Sequence, residues 1–236
     1  WSRVIDDPFP FGTVQSLLDA GYTPKEIYDN GYPVSLMYGN TYQGGTLFYY
    51  DPVTDYGLVA GPKLSYSSWG CSGTFMGTSS DIGSGKTNTQ YILNNCSERP
   101  IAASVADSYS GSGYNDWFMP SKEEVEQYLS NVIFGNGGNC EWGYTSTDCG
   151  TNWAYYYDIN CGGPNYNIYC DPKGGGSFPV VREISNSNTY TTNMPGTYYL
   201  TVTDSLGCST TDSVHVDIYN SGCTDSAATN FDPLAD

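Results

Sequence analysis

The sequence predicts an α+β fold: a mixed domain of short antiparallel strands, one or two helices and long disulfide-stapled loops, followed by a small all-β appendage. Three observations carry this. Ser121 opens a helix whose third residue is Glu124, a capping-box pattern, directly after the apolar run Trp117-Phe118-Met119 and the breaker Pro120. Short apolar runs elsewhere are separated by Gly, Asn and Pro turns at strand-like intervals. Eight cysteines occur without a Cys-x-x-Cys pair and with a single His, which favours disulfides in an oxidising compartment over a zinc site.

Composition narrows the function classes. The 28 Gly, 23 Tyr and only 14% charged residues describe a loop-rich and strand-rich secreted surface protein. With 25 acidic against 8 basic residues the formal net charge is −17, which lacks the basic footprint that nucleic acid or an anionic membrane requires. No stretch approaches the roughly 20 apolar residues of a helical membrane span. The opening Trp1-Ser-Arg-Val-Ile-Asp-Asp carries no signal-peptide pattern, so a mature or excised piece is expected. The expected location is extracellular, at the cell surface.

Residues 1–41 read as a leader. Leu17-Leu18-Asp19-Ala20-Gly21-Tyr22 is echoed by Ile27-Tyr28-Asp29-Asn30-Gly31-Tyr32 and by Met37-Tyr38-Gly39, a ten-residue period. Each unit reads as a helical turn ended by Gly, too short to stand alone, so it must lie against a neighbour or another copy. From Gly44 to Pro52 the period changes to that of a strand, and Tyr56 to Pro62 answers it, giving a hairpin. Trp69 to Cys96 is mostly loop, with two helical turns at 87–93, and a Cys71–Cys96 bridge would contribute roughly 3 kcal/mol there. Gly83-Ser84-Gly85-Lys86-Thr87 fails the phosphate-loop pattern because position 80 is Ser. Ile101 to Ala106 is a short helix or buried strand. Beyond Ser121 the helix places Val125, Tyr128, Leu129 and Val132 on an inward face, while Lys122, Glu123 and Glu126 stay wet. Strand-like runs follow at 144–147, 153–157 and 178–184. Cys140 with Cys149 and Cys161 with Cys170 have spacings that suit local staples, although other pairings remain open.

Several of these residues also carry a family resemblance. Tyr42-Gln43-Gly44-Gly45-Thr46-Leu47-Phe48-Tyr49, Gly57-Leu58-Val59-Ala60, Trp69-Gly70-Cys71, Asn88-Thr89, Asp116-Trp117-Phe118-Met119-Pro120-Ser121, Tyr144-Thr145-Ser146-Thr147 and Val181-Arg182, in this order, resemble the C-terminal domain family of the collagen-like bacterial adhesin Lcl. The resemblance spans about residues 42–185 and implies a C-type-lectin-like fold displaying variable loops, and in that adhesin it implies binding of sulfated polysaccharide. A polyanion needs a basic cluster, whereas Lys63, Lys86, Arg99, Lys122, Lys173 and Arg182 stand scattered among more numerous acids here. Residues 186–220 resemble a partial immunoglobulin-like module of bacterial surface adhesins. Tyr198, Leu200 and Val202 alternate to one side and Val214, Val216 and Ile218 return as a hairpin. Residues 221–236 resemble the start of an Asp-rich, Cys-bounded repeat, in which Cys223 pairs with Cys208 or with a partner outside these residues.

The chemistry expected from these residues is binding. His215 alternates with Val214 and Val216 and should face solvent, and no nucleophile with a base is marked, so no catalysis is expected. Calcium is the cofactor that the oxygen donors suit, either at Asp225, Asn230, Asp232 and Asp236 or at Asn115 with Asp116. Trp142, Trp153, Tyr155, Tyr157, Tyr166 and Tyr169 lie between the cysteines of a Gly- and Asn-rich region, where flat rings can stack on a sugar or a protein. Tyr155 and Tyr157 should share a strand face opposite Tyr156. The function expected is an adhesin or lectin-like module that binds a glycan or surface protein; the alternative is a structural tip, cap or spacer subunit of a cell-surface filament or secreted complex, with self-association or a larger surface assembly as the partner. Asp116, Trp117, Ser121 and Glu124 are expected to be architectural, with Asp116 holding a turn and Trp117 anchoring the core.

Overall fold

A computed structural model describes residues 12–133, 142–159, 166–184, 196–203 and 209–216. The chain divides into two compact units, Trp1–Asn186 and Ser187–Asp236. Helices and antiparallel sheets together make the architecture α+β.

The ten-residue repeat folds as three short turns. Helices α1 (Val14–Asp19) and α2 (Pro24–Asp29) are capped by Thr13 and Thr23, and a 3-10 turn covers Val34–Leu36. Thr23 and Glu26 form a full capping box with Pro24 at the first turn. Gly21 and Gly31 close the two helices at φ +93°, a left-handed conformation that glycine adopts without a Cβ penalty. The anchors Leu17, Ile27 and Met37 are buried against Leu47, Tyr50, Val59 and Ile184. The neighbour these turns require is therefore one face of the chain's own first sheet.

That sheet has the order β1 (Thr41–Tyr42), β2 (Gly45–Asp51), β3 (Tyr56–Ser68) and β7 (Gly175–Ile184), all antiparallel. The hairpin between β2 and β3 is tied at its tip by Asp51, which accepts from the Val53 amide and the Thr54 hydroxyl. Phe48, Leu58, Ala60 and Val181 form the sheet's other side and pack on Phe118 and Val132. Phe118 exchanges both backbone hydrogen bonds with Val181, so the Trp117-Phe118-Met119 run docks as one extra rung on β7. Trp117 is 2% exposed, and its ring lies where a Cβ on Gly61 would come within 2.5 Å. That close approach accounts for glycine in the middle of β3.

Two helices longer or firmer than the sequence suggested cover this core. The turns expected at 87–93 are part of α3 (Gly85–Asn95), and Ile101-Ala-Ala resolves as the start of helix α4 (Ala102–Asp107). Helix α5 (Lys122–Tyr128) has the expected capping box between Ser121 and Glu124. It then widens into a π-helical turn, Leu129–Ile133, which aims Asn131 at β2, where its amide donates to the Phe48 carbonyl at 2.9 Å. Val125 and Leu129 point inward as predicted.

The second sheet is the meander β4 (Trp142–Gly150), β5 (Trp153–Ile159) and β6 (Tyr166–Pro172). Here the cysteine spacing misled. The bridge joins Cys149 to Cys170, across the strand between them, in place of a Cys140–Cys149 or Cys161–Cys170 staple. The register of the meander brings Cys149, near the end of β4, to 6.2 Å from Cys170 of β6 between Cα atoms, and sequence spacing carries no information on that register. Cys71–Cys96 forms as expected, while Cys140, Cys161, Cys208 and Cys223 lie outside the described residues.

The long segment 69–84 is held by buried polar groups. Asp148 accepts from the Met76 and Thr78 amides and the Thr78 hydroxyl, and Lys173 donates to Asp148 and to the Thr74 carbonyl. Asn88 bonds Ser79 through both ends of its amide, and Thr147 donates to the Ser79 carbonyl. Glu124, the capping residue, is fully buried and also accepts from the Gly83 and Gly85 amides. A loop without apolar periodicity is thus fixed because its backbone groups find partners on α3, α5, β4 and the turn that carries Lys173.

In the second unit, β8 (Gly196–Thr203) and β9 (Ser209–Val216) pair as the expected hairpin, with Tyr198 opposite Val214. His215 is exposed and its Nδ1 lies 2.8 Å from the Thr197 hydroxyl across the strands.

Candidate aromatic face

The aromatic residues of the second sheet sort by strand parity. Direct cross-strand partners share a face, so Tyr144, Tyr156 and Tyr169 form one row across β4, β5 and β6. Their ring centroids are 4.9 Å and 5.8 Å apart, at tilted to edge-on angles. The next rung outward on the same face is Trp142, Asp158 and Asn167. On the rung to the other side, Asp171 pairs with Ala154 and accepts from the Tyr144 hydroxyl at 3.1 Å. Tyr144 is the buried end of the row, lying against Gly176 of β7, while Trp142 is 49% and Tyr169 43% exposed. The face therefore grades from core to solvent in three rings.

Its electrostatics are acidic. Burial raises the Tyr156 hydroxyl to about 12, and the charges of Tyr169, Asp158 and Asp171 push in the same direction. Burial and the same two carboxylates raise Tyr169. Both phenols therefore remain protonated donors at neutral pH, beside carboxylate acceptors and the Asn167 amide. Flat apolar rings flanked by paired donors and acceptors match the alternating faces of a pyranose, whose C–H groups pack on rings while its hydroxyls need hydrogen bonds. Lys63 of β3 reaches this face, its amine 4.7 Å from the Trp142 ring centroid.

The residues predicted from sequence do not all converge here. Trp142 and Tyr169 do. Tyr157 is 0% exposed and packs with Val125, Leu129 and Ile159, so it belongs to the core beneath α5 and not to a ligand surface. Tyr166 is half-buried against the same cluster. Tyr155 and the 45% exposed Trp153 are on the opposite strand parity, with Lys122 5.6 Å from the Tyr155 ring. Sequence reasoning passed over Asp158, Asn167 and Asp171, and set Tyr156 only on the face opposite Tyr155 and Tyr157. Parity in β5 places Tyr156 opposite Tyr155, but only the register against β4 and β6 reveals that Trp142 and Tyr169 join Tyr156.

Asp116 does not stand open for a cation. The Arg182 guanidinium grips both of its oxygens at 2.8 Å and 3.1 Å, stacks 3.7 Å from the Tyr114 ring and donates to the Gln43 carbonyl. This pairing outweighs burial and lowers the Asp116 pKa. Asp225, Asn230, Asp232 and Asp236 lie outside the described residues, and among the described residues no three His, Cys, Asp or Glu side chains converge as metal ligands. Among the described residues no helix is long and apolar enough to cross a membrane.

Burial raises Glu124 to about 7, a value suited to proton transfer, yet both its oxygens are occupied by backbone N–H groups beneath the surface. Its carboxyl is committed to the loop. The remaining sequence motifs are likewise architectural: Ser146 bonds the Pro120 carbonyl, Trp69 donates to the Thr145 carbonyl, and Thr89 joins Gly85 to Met119. No family model, no curated protein and no solved structure matches the chain.

Proposed function

We propose that this chain is a non-catalytic, extracellular adhesion module of C-type-lectin-like architecture, which holds a glycan at the solvent-exposed Trp142 and Tyr169 margin of the aromatic face of β4, β5 and β6. The row Tyr144, Tyr156 and Tyr169, opening onto Trp142 and lined by Asp158, Asn167 and Asp171, is the observation that carries this reading. Two disulfides fit a protein that matures in an oxidising compartment. The buried and backbone-saturated state of the most perturbed carboxyl, Glu124, favours binding over turnover.

The test is a glycan panel probed with the full chain and with Trp142→Ala and Tyr169→Ala. Saturable binding that weakens about tenfold or more in either variant, at unchanged thermal midpoint, supports the reading. Equal binding by the double variant removes this face from consideration. Concentration-dependent assembly without any saturable glycan binding would favour a tip, cap or spacer of a surface assembly.

A further inference from the structure

We infer that the ligand of this face is a glycan bearing free, protonated amines; the inference rests on the glycan-binding reading above and adds the charge of the ligand. Three independent features point there. The Lys63 amine lies 4.7 Å from the Trp142 ring centroid, so this ring face already accommodates an ammonium at cation–π distance. Asp158 lies directly opposite Trp142 in the β4–β5 register, one rung from Tyr156 and Tyr169, and Asp171 flanks the same row from the other side. An ammonium entering between them meets ring faces and carboxylates together, the combination that recognises an amine.

The third feature is the disposition of the basic residues. Lys86 pairs with Glu183, Lys122 with Glu126, Lys173 with Asp148 and Arg182 with Asp116. Arg99 donates to the Leu93, Cys96 and Glu98 carbonyls. These cations are already engaged within the fold, and a chain of net charge −17 repels a sulfated or otherwise anionic polymer at long range while steering a cationic one inward. Asn167 and the phenolic hydroxyls of Tyr156 and Tyr169 supply the donors and acceptors that a sugar, and not a bare ammonium, requires.

The experiment compares three probes on the full chain under mildly acidic conditions: a deacetylated chito-oligosaccharide, its fully N-acetylated counterpart and polylysine. The amine-bearing sugar is expected to bind about tenfold more tightly than the acetylated one, with affinity falling as salt rises. Asp158→Asn and Asp171→Asn should erase that preference, bringing the affinity for the amine-bearing sugar down to that for the acetylated one in the same variant, whatever the acetylated sugar itself loses. Lys63→Met should tighten amine binding, because it removes the resident competitor. Equal binding of both sugars, or weakening in Lys63→Met, overturns the charge assignment but leaves the glycan face standing. Polylysine binding as tightly as the amino sugar overturns the choice of a glycan. Absence of binding to either sugar, with Trp142→Ala equally silent across the glycan panel, overturns the glycan reading itself.

Discussion

The Lys173 amine lies 3.3 Å from the Asp148 carboxylate, and neither side chain has any solvent exposure. The Trp69 ring, 4.3 Å from the amine, completes the enclosure. Burial lowers the Lys173 pKa, and the Asp148 charge opposes that shift. The pair is the clasp of the loop 69–84, since Asp148 also holds the Met76 and Thr78 amides.

Lys173→Met should therefore destabilise the first unit by about 3–5 kcal/mol, because Asp148 is left buried without a counter-charge. The double variant with Asp148→Asn should recover part of that loss. Urea unfolding gives both values, and a Lys173→Met loss below about 1 kcal/mol would show that water reaches the site.

Trp117→Ala should cost about 3–5 kcal/mol, since it empties a site packed against Gly61 and Tyr109. In whatever fraction remains folded, glycan binding should be retained. A stable Trp117→Ala protein that no longer binds would transfer the site to the Asp116-Trp117 region.

Glu124 makes stability depend on pH with a defined sign. Its pKa is raised from 4.5 to about 7 in the fold, so between these values the folded chain binds more protons than the unfolded chain. This group's contribution to stability therefore falls as pH rises through the window and is fully favourable below it. Denaturant midpoints measured across the window should show that slope for the natural chain and not for Glu124→Gln, which does not titrate. The same slope in both proteins would assign it to other groups.

Disulfide mapping of the unreduced protein should recover a peptide joining Cys149 to Cys170, along with Cys71 to Cys96. Cys149→Ser with Cys170→Ser should cost roughly 3 kcal/mol by loop closure. Recovery of Cys140 joined to Cys149 would refute the strand-spanning bridge.

Local features were legible from residues alone. The capping box at Ser121 and Glu124 is complete within four residues, and the first two of the ten-residue turns are capped by Thr13 and Thr23 and closed by Gly21 and Gly31. The β2–β3 and β8–β9 hairpins likewise follow from alternation and a nearby turn. These are short-range hydrogen-bond and packing patterns, so the chain spells them out consecutively.

What lay beyond the sequence was decided by register and by long-range partners. The alternation in Trp153 to Ile159 divides the tyrosines into two sets, but only the cover of α5 made Tyr157 the buried one. The pairing of β5 with both neighbours then brought Trp142, Tyr156 and Tyr169 onto one face and Cys149 beside Cys170. Asp116 follows the same rule: its sequence offers an oxygen donor, and the fold supplies Arg182 from 66 residues away as its cation. A one-residue slip in a strand exchanges its two faces, so a sequence can name the aromatic and acidic residues while tertiary pairing alone determines which of them meet.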